Sequence, residues 1–337
     1  MDKLGIYIPT RNRAEELEEC LRSFIPQIRE YKLPIYIADS SETDATRICV
    51  ERIKKEYQKI FYKKNTPAEG KTYAAALKSV LSMGKTKFVW FFGDDDTIKR
   101  GAIRMIMNKL NTNDYLQINA EVLSQDMKRC IKSRIIQKYK NETYKNQAEL
   151  ALLNMKNTGY QGFMAHMIIK KEDADNQIRK LNVTEPHMDF LHTIIFYRAI
   201  SVSAREGNSF GTFIATPLIN NRAGNWSYSS RVMDIFFKSW SKTHDKLIGY
   251  YNTKVLKIVR KLPIFDLMIM ITMNKIMNKT QPIADYRKYI LHNDDFGRID
   301  KVILLMAILA PKILLKTGYN LYKLLKGINR VNLDKIL

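Results

Sequence analysis

Cysteine is scarce in this chain: Cys20, Cys49 and Cys130 are the only three in 337 residues. They lie far apart, with no CxxC pair and no close histidine, which argues against a disulfide framework or a zinc site and fits a reducing cytosol. Long apolar runs are missing too. The longest uncharged one, Val302 to Ala310, falls short of the about 20 residues that a membrane-spanning helix needs. The opening MDKLGIYIPTRNR has too short an apolar stretch before its arginines to read as a secretory signal. The expectation is a cytoplasmic protein with no span, no repeats and no low-complexity linker. Acids are the minority charge, 34 against 56 lysines and arginines, for a net charge of +22. That excess points to an anionic partner: nucleic acid, a lipid surface or a phosphorylated substrate. Residues 231–337 hold 20 basic and 8 acidic residues, a net +12, so the C-terminal third carries the basic surface. A hydrophobic content of 45% supports a substantial core and excludes global disorder.

The first 125 residues alternate between two periods. LGIYIP, LPIYIAD, KIFYKKN and KFVWFF read as strands. AEELEECLRSFIPQIREY, TDATRICVERIKKEY (with Thr43 as N-cap) and GKTYAAALKSVLSMG read as helices between them. Such alternation implies an α/β fold with a parallel, doubly wound sheet, whose ligands bind beyond the carboxyl ends of the strands. Asp39 ends the second strand, and Asp94, Asp95 and Asp96 follow the fourth. Further on, YLQINAEVL and YQGFMAHMIIK read as strands, NVTEPHMDFLHTIIFYRAI as a loop that becomes a helix, and GTFIATPLINNRAGNW as a strand and turn. From about Val232 the chain reads as helical, with breaks near Pro263 and Pro282 and an acidic turn, HNDDFG.

Three consecutive acids after a buried strand repel one another, so something outside the chain is expected to stabilise them. A hard divalent cation with substrate phosphates would do so. The alternative is an exposed acidic turn in which an Asp caps the helix TIKRGAIRMIMNKL.

The segments IYIPTRNR, IADSSETD, NTPAEGKTYAAAL and FVWFFGDDDTIKRGAI, in this order and spacing, resemble the inverting glycosyltransferases of family 2. The resemblance covers residues 3 to 110 and is loose afterwards. It implies a GT-A (Rossmann-like) nucleotide-diphospho-sugar transferase domain, here 1–230, and a mainly helical C-terminal extension, 231–337. It also implies that Pro9, Thr10 and Arg13 line the nucleotide pocket, that Asp39 bonds the nucleobase, and that Lys71 approaches the nucleotide. Asp94 or Asp95 would face the ribose, and Asp96 would coordinate Mn²⁺ or Mg²⁺. The family's usual Asn later in the third helix is an alanine or leucine here. The inverting base is sought in VTEPHMDFLHT, with Asp189 first and Glu185 second, because Met188 stands where the family has a second acid. His187 is open to assisting the base or meeting a phosphate, and His192 reads as packed. TGYQGFMAH would line the acceptor side.

GKT within AEGKTYAAAL invites a P-loop reading, but Asn65 stands where the motif requires Gly. In APKILLKTGYNLYKLLKGINR, Lys312, Lys316, Lys323 and Lys326 fall within an arc of roughly 80° at about 100° per residue. Such a basic amphipathic helix suits an anionic membrane interface or packing on the catalytic domain, and a homo-oligomer is a further use. The resemblance implies a nucleotide-sugar donor, a glycan or polyprenyl-linked acceptor, and a peripheral location on the inner face of the cell membrane. Nucleic acid is disfavoured, since no RNP motif, zinc-finger spacing or helix-turn-helix is present. The rival functions are a nucleotidyltransferase, which would need a Gly-rich loop after strand one, and a non-catalytic basic module binding lipid or nucleic acid.

Overall fold

The computed structural model describes residues 2–156, 160–223, 231, 234–261, 264, 267–268, 271–272, 275, 287, 290–291 and 296–325, the last seven by backbone alone. Pro263, Pro282, Lys326 and most of HNDDFG lie outside the described residues.

In chain order the elements are β1 (Asp2–Thr10), α1 (Ala14–Ile28), β2 (Ile35–Asp39), α2 (Ala45–Lys54), β3 (Ile60–Lys64), α3 (Pro67–Gly70), α4 (Tyr73–Ser82), β4 (Thr86–Phe91), β5 (Thr97–Ile98) and α5 (Ala102–Lys109). Then follow β6 (Tyr115–Leu123), β7 (Cys130–Lys132), β8 (Glu142–Lys145), α6 (Ala148–Leu153), β9 (Met167–Lys170), α7 (Lys171–Arg179), α8 (Leu191–Arg205) and β10 (Phe210–Arg222). A π-helical stretch at Asp234–Ser239 leads into α9 (Trp240–Asp245), α10 (Thr253–Arg260), α11 (Arg298–Leu309) and α12 (Lys312–Leu325).

The strands form one sheet in the order β3-β2-β1-β4-β9-β6-β10-β5, with β7 beside β6 and β8 beside β10. β3, β2, β1 and β4 are parallel, as the alternating periods predict. The fully parallel sheet expected from sequence is corrected beyond them. β9 runs antiparallel between β4 and β6, and β5, β7 and β8 also pair antiparallel. For β5, β7 and β8 the physical reason is connectivity: each follows the preceding strand without a crossover helix, and such strands need not be parallel. The segment YQGFMAHMIIK forms two short 3₁₀ turns and is extended only from Met167. Thr43 does not cap α2, because the helix begins at Ala45 behind Asp44.

Helices α1, α2 and α5 contact one another, while α4, α7 and α8 form a second set, so the sheet lies between two helical layers. Its strands bury Ile6, Ile8, Ile37, Val89, Trp90 and Phe213. Phe24 of α1 meets Trp90 and Phe92 edge-on, and burying side chains of this size contributes about 2 kcal/mol each. The basic C-terminal region is not a separate layer at its start. Leu247, Tyr251, Val255, Leu256 and Val259 join the main core, whereas Phe237, Trp240, Leu304 and Ile308 belong to a second cluster.

Candidate active site

The parallel ladder assembles the rim. Tyr7 is level with Phe91 and Thr10 with Asp39, so extending the β1–β4 register by three residues sets Asp94 beside Thr10. There the Thr10 hydroxyl donates to Asp94 Oδ2 at 2.7 Å. Arg13, just before α1, donates to Asp94 Oδ1 at 2.9 Å and pairs with Asp95 at 3.1 Å. Burial works against the Arg13 charge, but Asp94 and Asp95 outweigh it and the guanidinium pKa is raised.

The triplet does not cap the next helix. Thr97–Ile98 pairs with Ile219–Asn220 of β10, and α5 starts at Ala102 behind Gly101, whose φ of 83° is left-handed and favours glycine. Asp96 is turned toward β10, where its Oδ1 accepts from Asn221 Nδ2 at 3.1 Å and from the Arg222 backbone N–H at 3.0 Å. The Arg222 side chain is itself buried, donating to the Asp95 carbonyl at 2.9 Å and pairing with Glu19. Burial, and for Asp94 and Asp96 the charge of Asp95, push the carboxyl pKa values up: Asp94 to about 6, Asp95 upward, Asp96 well above the ordinary value. A cavity-side cation would remove this penalty.

Asp39 reaches the same rim but is fully buried. Its Oδ1 accepts from the Ser41 N–H at 2.8 Å, and its Oδ2 from Tyr62 Oη at 2.7 Å and Lys64 Nζ at 3.4 Å. Pro9 is half-buried one residue before the end of β1. Lys71 is exposed past α3, a one-turn helix closed by a Thr66–Glu69 capping box. Gly70 lies so close to Ser40 that an added Cβ would stand 3.0 Å from its hydroxyl. The GKT run thus straddles two helices, and the Thr72 hydroxyl caps α4 by accepting from Ala75 N–H, which leaves no P-loop.

Asp189 stands just before α8. Its Oδ2 accepts from Ser239 Oγ at 2.5 Å and from Arg231 at 3.2 Å. Its charge also raises the pKa of Tyr73, at the start of α4, after burial as the main cause. Tyr73 Oη lies 2.6 Å from His192 Nδ1, and His192 Nε2 lies 3.0 Å from the Gly162 carbonyl. That arrangement requires a neutral ring donating from Nε2, and burial lowers the His192 pKa to about 4. His192 is packed, as expected. Glu185 is held between Lys246 at 2.8 Å and Lys242 at 2.9 Å, which lower its pKa. His187 adopts a left-handed φ of 63°, and its Nδ1 has no hydrogen-bond partner among the described residues.

Sequence reasoning missed Asn221, Arg222, Tyr62, Lys64, Ser239 and Arg231. The polar run NNR closing an apolar strand was the one available signal for the first two. Among the described residues no three His, Cys, Asp or Glu side chains converge as a ready-made metal cage.

The family model Glycosyl transferase family 2 matches residues 5–175. A curated relative, the GalNAc(5)-diNAcBac-PP-undecaprenol beta-1,3-glucosyltransferase of Campylobacter jejuni, is 31% identical over 117 residues, 33% of this chain. The match spans about a third of that relative's length, 35%. Crystal structures of S. aureus TarS 1–349 share the fold at 13% identity. With UDP-GlcNAc the TM-score is 0.55, covering 90% of this chain and 87% of TarS; with UDP it is 0.54, covering 86% and 78%. The α/β GT-A architecture expected from the motifs is therefore the observed one. Because the model's match takes in just over half of the chain, including the whole β1–β4 rim with Asp39 and Asp94 to Asp96, the chain belongs to glycosyl transferase family 2.

Proposed function

We propose that the chain transfers a sugar from a nucleoside-diphosphate donor to a hydroxyl of a glycan or polyprenyl-linked acceptor, with inversion and with Mn²⁺ or Mg²⁺ at Asp96. The observation that carries this reading is the anchoring of Asp96. One oxygen is fixed by two donors, while Oδ2 accepts no hydrogen bond among the described residues. A single buried carboxylate fits a cation that takes its remaining ligands from substrate phosphates and water. When bound, the cation offsets charge on the departing diphosphate.

The chain's own residues do the rest. Thr10 and Arg13 fix Asp94, and with Asp95 they form the ribose side of the pocket. Pro9 and Lys71 border the nucleotide. For Asp39 to meet a base, Tyr62 or Lys64 must give up its bond. Asp189, oriented by Ser239 and Arg231, takes the proton from the acceptor hydroxyl as its oxygen bonds to the anomeric carbon and the bond to the diphosphate breaks. Glu185, engaged by two lysines, is the weaker candidate for that base. Residues 1–230 form the transferase unit in this reading, and 231–337 a basic helical extension whose first helices share its core. TarS binds UDP-GlcNAc, and the Campylobacter relative is named for an undecaprenol-linked glycan. The first supports the donor class and the second a lipid-linked acceptor, which a peripheral position at the inner face of the membrane would serve. Family membership weighs against the nucleotidyltransferase and the non-catalytic module.

The test is calorimetric titration of UDP, GDP, CDP and dTDP, with and without Mn²⁺, into wild type and Asp96→Ala. Metal-dependent binding of one diphosphate, lost in the variant, is the expected result. No binding of any by folded wild type would overturn the site.

A further inference from the structure

Helix α11 has two apolar faces and buries one. Leu304, Ala307 and Ile308 pack into the second cluster. On the other side Ile299, Val302, Met306 and Leu309 are 75%, 54%, 58% and 58% exposed. At about 100° per residue these four fall within an arc of roughly 80°, so they make one continuous stripe and not scattered surface residues. On the next helix, α12, Ile313 and Leu314 are 80% and 65% exposed. Six large aliphatic side chains facing water on successive helices mark an interaction surface.

Charge selects the occupant. From 301 to 330 the sequence holds five lysines and an arginine and no acid. The nearest acid, Asp300, is engaged at the start of α11, accepting from the Gly297 N–H at 3.1 Å and pairing with Lys261 at 3.8 Å. Lys312 and Lys316 are exposed beside Ile313 and Leu314. A second copy docking by this face would bring like charges together. An anionic lipid surface matches both the net positive charge of this segment and its aliphatic stripe, as interfacial helices do.

We propose that the outward face of α11, extended by Ile313 and Leu314, lies in the headgroup region of an anionic membrane, with Lys312 and Lys316 at the phosphates. The proposal rests on the reading that the enzyme meets its acceptor at a lipid surface, but its test reads binding alone. The sequence placed the membrane contact on the lysine arc of α12; the exposed stripe moves its apolar anchor to α11.

The experiment is flotation of the full chain, without nucleotide, on vesicles of phosphatidylcholine and of phosphatidylcholine with phosphatidylglycerol. Wild type should float with the anionic vesicles. Val302→Glu/Met306→Glu should lower partition roughly a hundredfold, since burying each such side chain is worth about tenfold. Lys312→Gln/Lys316→Gln should lower it roughly fivefold per lysine, and on anionic vesicles alone. Ile299→Gln serves as a milder variant at the most exposed position of the stripe. Unchanged melting temperature and unchanged metal-dependent diphosphate binding in these variants separate this proposal from the catalytic one. Wild type that stays in solution, or Val302→Glu/Met306→Glu that floats like wild type, overturns it. So does a wild-type dimer that this double variant dissociates while vesicle binding persists, which would assign the face to a second copy.

Discussion

Asp39 and Asp96 at the strand rim, the donor side of the proposed reading, and Asp189, its acceptor side, are held in different ways. At the rim, Asp96 accepts from the backbone N–H of Arg222 and Asp39 from that of Ser41, and the Thr10–Asp94 pair follows from the β1–β4 ladder. Asp189 is held by two side chains, Ser239 and Arg231, from the segment that follows β10. Backbone donors fixed in a sheet stay where the ladder puts them, whereas a hydroxyl and a guanidinium, which hold Asp94 as well as Asp189, can change rotamer. On the proposed reading Asp39 and Asp96 are in place before substrate arrives, and Asp189 can adjust to its acceptor.

That contrast is broken most directly at the two carboxylates. Asp189→Asn keeps shape and removes the proton acceptor. It should lower kcat by about 10²- to 10⁴-fold while the diphosphate affinity stays at the wild-type value. Asp96→Ala should do the reverse at the binding step. Loss of nucleotide affinity in Asp189→Asn would show that the two halves are one unit.

A smaller change sharpens the donor half alone. Arg222→Lys keeps a cation and the backbone donor to Asp96 but loses the fork that reaches the Asp95 carbonyl, the Gln125 carbonyl and Glu19. About a tenfold rise in the diphosphate Kd is expected, with kcat at saturation nearly unchanged. An effect as large as that of Asp96→Ala would mean that the side chain, and not the ladder, holds the rim.

The donor half was largely legible in the sequence because its signals are local. Strand and helix periods gave β1 to β4, and adjacent acids after a buried strand marked the triplet. The grip on Asp96 was not legible, because Asn221 and Arg222 reach it through β5–β10 pairing across more than a hundred residues. Nor did any local pattern show that Tyr62 and Lys64, on the strand next to Asp39, would occupy its carboxylate. On the acceptor side the position of Asp189 before a helix was readable. Its partners were not, since a polar segment after a strand carries no periodicity that points back to residue 189. Glu185 and Asp189 looked similar in sequence and differ only in what tertiary packing places beside each.

Acid acts on the buried histidines and on the rim without mutation. His192, His244 and His166 are buried neutral, with pKa values lowered by burial to about 4, 4 and 3. A lowered folded-state pKa means that the unfolded chain binds protons first. The stability these rings contribute is complete above their ordinary value near 6.5 and drains away as pH falls toward 4. Melting temperature should therefore drop through that window, and His192→Gln should flatten the drop by about one proton. The rim titrates in the same window, with Asp94 pushed up to about 6 and Asp96 well above its ordinary value, so metal-dependent diphosphate binding by the surviving folded fraction should weaken as these carboxyls take up protons. An equally steep drop in the variant would place the acid sensitivity elsewhere.

The smallest effect is expected at Glu185. Its carboxylate is half-exposed and bonded to Lys242 and Lys246; such solvent-facing pairs contribute about 0 to 1 kcal/mol. Glu185→Gln leaves the side chain in place and should change kcat less than about threefold, with a slight fall in melting temperature at low salt that vanishes at high salt. The pairing explains why: a base must be free to approach an acceptor hydroxyl, and moving Glu185 there would strand two lysines. Among the described residues Asp189 is bonded to Ser239 and Arg231 and to no lysine: Oδ2 takes the short bond from Ser239, and Oδ1 is contacted there by Arg231 at 3.4 Å. A loss of a hundredfold or more in Glu185→Gln, with Asp189→Asn near wild type, would exchange the two roles and make the lysine pair the device that tunes the base.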